Sequence, residues 1–117
     1  MPTLTPVLPS GSTNGRPIKV AATGTPGTLI HTSTSTSGQF DELTIQAMNT
    51  DSSDRKLTLE LGGVTAPDDL IERTIVAESG LVPIVTGHRL NGGVVVRAFA
   101  ATADVVTIVA DVMRYAP

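Results

Sequence analysis

The chain has no cysteine and no tryptophan. Without cysteine there are no disulfides, no thiolate metal ligands and no cysteine nucleophile. A small fold must then be held by packing, and by neighbours where it has them. Aromatic residues are scarce: Phe40, Phe99 and Tyr115 are the whole set. Bases and sugars are commonly held on aromatic faces, so this set weighs against single-stranded nucleic acid and carbohydrate. Charge is thin as well, at 16% of residues, against about 25% in typical soluble domains. The net charge is −3, and Lys and Arg never cluster beyond Arg55-Lys56. A nucleic-acid partner needs a basic stripe, and none is expected here. No run is long and apolar enough to cross a membrane, and the N-terminus lacks the basic start and apolar stretch of a secretory signal. No membrane partner is expected.

Thr, Ser, Ala and Gly fill the space left by charge and aromatics, giving a neutral, hydroxyl-rich surface suited to lying against other proteins. A length of 117 residues bounds the chain to one domain with one core. The dominant pattern has period two, the mark of half-buried strands. In Phe40–Asn49, Leu43, Ile45 and Ala47 face one way, and Glu42, Thr44 and Gln46 the other. In 55–63, Leu57, Leu59 and Leu61 alternate with Thr58 and Glu60. The turn-formers of Asn49–Asp54 between them predict a hairpin. Ile18, Val20 and Ala22 mark a short strand, and Thr28–Thr32 another. Segment 67–80 opens like a helix at Pro67-Asp68-Asp69, yet Thr74-Ile75-Val76 is β-branched, and a strand over Leu70–Ala77 is preferred. Pro83 confines 81–86 to a sheet edge or bulge, and Asn91-Gly92-Gly93 is a tight-turn signal. The most β-prone runs are 94–101 and 104–115; in the second, Val106, Ile108, Ala110 and Val112 share a face, and Ala101–Asp104 predicts a hairpin between the two.

These segments predict an all-β antiparallel sandwich of about eight strands over residues 17–117, jelly-roll or immunoglobulin-like. Residues 1–16 read as an extended N-terminal arm. Pro2, Pro6 and Pro9 favour extended backbone, and Ser10–Gly15 is a flexible hydroxyl and glycine tract. Leu4, Val7 and Leu8 are apolar residues that a solvated tail does not need, and with Arg16 they form the candidate protein interface. Removing the arm is then expected to leave the domain's own stability intact.

Motifs for chemistry are weak. His31 and His88 sit in no metal-ligand spacing. In a strand, the neighbours Asp41 and Glu42 point to opposite faces, so they make no carboxylate dyad. Asn49–Asp54 offers oxygens but lacks the glycine and terminal glutamate of a calcium loop. No phosphate-cradling glycine motif or serine elbow occurs. The expectation is no catalytic residue, no cofactor and no metal.

The order of "PIKVAATGTPGTLIHT", "FDELTIQAMNTDSSDRKLTLELGG" and "LIERTIVAESGLVPIVTGHRLNGGVVVRAFAATADVVTIVADVMRY" resembles the small β-sandwich virion proteins of tailed bacteriophages. The similar parts are the GTLIHT strand, the NTDSSDRKLTLELGG segment, the SGLVPI bend and the LNGGVVVRAFAATADVV ending, together spanning Pro17 to Tyr115. The resemblance implies a virion structural role, best matched by capsid cement or decoration proteins. Such proteins sit on the outer capsid surface, often as trimers, and brace adjacent subunits of the major capsid protein. It implies the major capsid protein and further copies of the chain as partners. It carries no catalytic residues over. A neck, tail or fibre-associated sandwich is the neighbouring alternative, and a small ligand-binding module the more distant one.

Overall fold

A computed structural model describes residues 2–117. It is all-β, with nine strands: β1 Thr3–Val7, β2 Ile18–Lys19, β3 Thr28–Thr32, β4 Phe40–Asn49, β5 Arg55–Leu61, β6 Leu70–Ile75, β7 Val82–Leu90, β8 Val95–Ala100 and β9 Val106–Ala116. Two antiparallel sheets form. The larger runs β1-β9-β4-β7, with β2 also paired to β9, and the smaller runs β3-β8-β5-β6. The pairs β2·β9, β3·β8, β4·β7 and β5·β6 nest inside one another along the chain. This is one long antiparallel ribbon rolled up, the jelly-roll wrapping rather than the immunoglobulin one.

Period two predicts the buried faces well. Leu43, Ile45 and Ala47 of β4, Leu57 and Leu59 of β5, and Val106, Ile108 and Val112 of β9 all lie in the core. Ile30, Ile75, Val96 and Ala98 complete it from the smaller sheet. Burying one such Leu or Ile contributes about 1.5–3 kcal/mol. Segment 70–75 is strand, as its β-branched residues predict. Pro83 sits on edge strand β7, opposite Gln46, where the β4–β7 register shifts.

Three expectations fail. Asn49–Asp54 does not close a hairpin: β4 and β5 lie in opposite sheets. Ala101–Asp104 does not either, because β8 and β9 are split in the same way. In both places the turn carries the chain across the roughly 10 Å between sheets. The alternating apolar faces then meet across the core instead of lying side by side.

The third failure is the separate arm. Residues 3–7 are extended as expected, but they pair with β9 along Thr3↔Ala116 through Val7↔Val112, making a ninth strand. The tract read as flexible is fastened to β3. Gly11 N–H donates to the Ile30 carbonyl at 3.0 Å. Ser10 N–H donates to His31 Nδ1 at 3.1 Å, and Thr32 N–H donates to Ser10 Oγ at 2.6 Å. A Cβ on Gly11 would collide with the Leu29 carbonyl, so only glycine lets this backbone lie so close. The boundary at residue 17 therefore does not separate an arm from a domain.

Candidate functional site

Two places on the larger sheet collect side chains that the alternation alone does not explain. The first is a polar cluster at one end of the core. Asp41 is in phase with Leu43, Ile45 and Ala47, so its side chain enters the sandwich, and it is fully buried. Arg114, in phase with Val112, stands directly across the ladder from it. The guanidinium donates through Nε to Asp41 Oδ1 at 2.7 Å and through a terminal nitrogen to Oδ2 at 2.9 Å. That two-pronged geometry is the strong form of an Arg–carboxylate pair. Thr34 N–H adds a third donor to Oδ2 at 3.0 Å. His31, 1% exposed, reaches Oδ2 through Nε2 at 2.8 Å.

Desolvation pushes the Asp41 carboxyl up. The hydrogen bonds from Arg114, His31 and Thr34 and the Arg114 charge outweigh it, leaving the group below the usual carboxylate range. Arg114 is raised by the same bond.

The cluster has the residue types of a serine–histidine–aspartate relay, since Ser10 Oγ lies 3.3 Å from His31 Nδ1. Its hydrogen bonding makes it a fastening. Nδ1 already accepts the Ser10 backbone N–H, so the imidazole lone pair is occupied and Nε2–H is the donor to Asp41. Arg114 meanwhile shares the carboxylate that would orient a catalytic imidazole. The arrangement ties five chain segments together: β4, β9, β3, the loop between β3 and β4, and the 9–12 turn.

The opposite end of the core has a matching plug. Asn49 is buried, and its Nδ2 donates to the Ser53 carbonyl at 2.9 Å and the Ile75 carbonyl at 3.0 Å. Asn49, Asp51 and Asp54 of the Asn49–Asp54 loop each spend a side-chain oxygen on the protein. Asn49 Oδ1 accepts Asp51 N–H at 2.9 Å, Asp51 pairs with Arg55, and Asp54 accepts Ala77 N–H at 3.0 Å. Among the described residues, no group of three His, Asp or Glu side chains gathers as a metal-binding cluster.

The second place is the outer face of the larger sheet. Register puts Leu4, Tyr115 and Phe40 in one row and Pro6, Met113 and Glu42 in the next. Phe40 and Tyr115 stack with ring centroids 4.8 Å apart, and the Arg89 guanidinium lies 5.5 Å above Phe40. Beside them runs a groove of about 460 Å³, whose lining includes Pro6, Val7, Leu8 and Met113 together with Glu42 and Asp111. Leu4 and Leu8 are each 64% exposed.

Of the sequence-predicted interface residues, Leu4 and Leu8 lie on or beside this face, standing out of it. Val7 is half-buried, packed against the core next to Val112. Arg16 is exposed but belongs to a separate cleft with Ser12, Thr13, Pro17 and Lys19. Sequence reasoning missed Asp41, His31, Arg114 and Glu42 as a structured set. The signal for two of them was available: extending the β4 and β9 alternation one step further puts Asp41 and Arg114 on the inner face. Asp41 and Glu42 do point to opposite faces, as the strand geometry required. Comparison with known proteins gives no match, whether to a family model, a curated protein or a solved structure.

Proposed function

We propose that this chain is a structural protein of a phage virion, of the capsid cement or decoration type. It braces adjacent subunits of the major capsid protein on the outer capsid surface. The observation that carries the reading is the outer face of the larger sheet, where Leu4, Leu8 and Met113 stand in solvent on and beside a groove that also carries Glu42 and Asp111. Exposed apolar side chains grouped on one face mark contact surfaces. The jelly-roll wrapping supports the reading, since it is common among capsid domains, although lectins and cupins share it. The bound cofactor or substrate of an enzyme has no part in this function. A lattice repeats each contact many times, so individually weak contacts still brace a shell.

The test is cosedimentation of the purified chain with intact capsids of the phage that encodes it. The chain is expected to travel with the capsids, and Leu8→Asp to lower its occupancy without lowering its melting temperature. Failure of the unaltered chain to bind capsids sinks the proposal. Binding to tails or necks alone would move the chain to another virion part.

A further inference from the structure

We infer that Asn91, at the crossing between β7 and β8, is a site of spontaneous covalent modification. Its side-chain amide closes on the Gly92 nitrogen and is hydrolysed to aspartate and isoaspartate, while the like dipeptide at Asn14 is protected by its turn. The chemistry owes nothing to the capsid reading.

The chain has two Asn-Gly dipeptides, Asn14-Gly15 and Asn91-Gly92. A glycine after asparagine favours ring closure, because its nitrogen has no Cβ beside it and its backbone turns freely. Sequence does not separate the two, and all four residues are exposed. Hydrogen bonding does. Asn14 and Gly15 are the central residues of a closed turn, with φ of 56° and 76°. Arg16 N–H donates across it to the Thr13 carbonyl at 3.0 Å. Positive φ at both central residues is the type I′ form. The Gly15 nitrogen, the atom that would attack, donates its proton to Ser12 Oγ at 3.2 Å. Ser12 is itself anchored, its hydroxyl donating to the Pro9 carbonyl at 2.7 Å. A Cβ built on Gly15 would lie 3.0 Å from Leu8 Cδ2, so the turn is also crowded.

Asn91-Gly92 has none of these restraints. The bonds that hold the crossing fall just beyond it. Gly93 N–H donates to the Thr34 carbonyl at 3.1 Å, and the Val94 carbonyl accepts Ser33 N–H at 2.9 Å. Among the described residues, no backbone partner holds the Gly92 N–H. The space where a Cβ of Gly92 would stand is empty to 4 Å. The attacking nitrogen and the amide it attacks are therefore tethered side by side, with nothing to break before they meet.

The reaction balances with water as its one co-reactant. The Gly92 nitrogen gives its proton to solvent and bonds to Asn91 Cγ. The Cγ–Nδ2 bond breaks, and ammonia leaves with a proton. Water then opens the five-membered imide. Cleavage of the bond from nitrogen to Cγ leaves aspartate in a normal chain. Cleavage at the Asn91 carbonyl carbon leaves isoaspartate, with the main chain running through the side chain. Nothing is oxidised or reduced. Each event makes the chain one charge more negative, and isoaspartate lengthens the backbone beside the bond from Gly93 to Thr34.

The experiment ages the full, folded chain at neutral pH, digests it with trypsin and follows both sites by mass spectrometry. Cleavage after Lys19, Arg89 and Arg97 puts Asn14 in residues 1–19 and Asn91 in residues 90–97. Conversion at Asn91 is expected to run at least about fivefold faster than at Asn14, the factor set by one hydrogen bond that must break first. The product at Asn91 should resolve into aspartate and isoaspartate on reversed-phase chromatography. In guanidinium chloride, where the turn is lost, the two rates should converge. Equal rates in the folded chain, or a faster Asn14, overturn the inference. So does an Asn91 that stays intact while the unfolded chain converts, or a rate difference that persists unchanged in denaturant.

Discussion

The sandwich buries two carboxylates, and it does so in different ways. Asp41 enters the core from the inner face of β4 and meets a guanidinium, an imidazole and a backbone N–H. Glu60 points from β5 away from the core, yet it is only 1% exposed. The loop between β2 and β3 folds over it, and the Thr25 hydroxyl and Gly27 N–H donate to its carboxylate. Arg97, directly across the ladder from Glu60, does not pair with it and instead donates to the Gly27 carbonyl at 3.3 Å. Asp41 is thus neutralised by charge, whereas Glu60 is capped by dipoles. A buried ion pair is held by mutual attraction and fails badly when one member goes. A capped carboxylate organises a loop, and an uncharged isostere can replace much of what it does.

The largest effect should come from breaking the paired site. Arg114→Met removes the cation and leaves Asp41 buried with weaker donors. It is expected to cost about 3–5 kcal/mol, measured by urea unfolding. A loss under about 1 kcal/mol would mean that the pair is a surface-like contact. Leu59, fully buried on the inner face beside Glu60, calibrates the same strand. Leu59→Ala should cost about 2–5 kcal/mol.

Acid should weaken the Asp41 site more gently. Its carboxyl is held below the ordinary value in the folded chain. Its contribution is therefore present above the unfolded pKa, near 3.9, and is lost as pH falls through the lower folded value. The unaltered chain should lose stability as pH drops below about 4, and Asp41→Asn should flatten that slope. A slope identical in the two proteins would assign the acid sensitivity elsewhere, for example to Asp51, which its bond with Arg55 also holds low. The smallest effect is expected at the capped site. Glu60→Gln keeps one acceptor oxygen and should change stability by about 1 kcal/mol or less. A cost equal to that of Arg114→Met would erase the contrast between the two sites.

The legible part of this molecule was the local part. Leu43, Ile45, Leu59 and Ile108 could be placed in the core because a strand turns successive side chains to opposite faces, whatever lies beside it. Pro83 marked an edge because it lacks an N–H. The same logic failed at Thr58 and Glu60, which alternation places on the solvent face and which are both buried, Glu60 beneath the loop between β2 and β3. It stopped one step short at Asp41 and Arg114, where the inner-face register continues past the last apolar residue.

From the sequence alone came the all-β class, the inward faces of β4, β5 and β9, and the places where the chain turns. Only the tertiary structure decided which strands pair. The loops after Asn49 and Ala100 read alike as hairpin turns or as crossings between sheets, because alternation is the same in both and pairing is set by partners far along the chain. It alone also drew residues 3–7 into the larger sheet, through pairing with β9, and fastened Ser10 and Gly11 to β3 of the smaller one. A short, exposed strand has no periodicity of its own to announce it. Its place is fixed by an open ladder edge that exists only once the rest has folded.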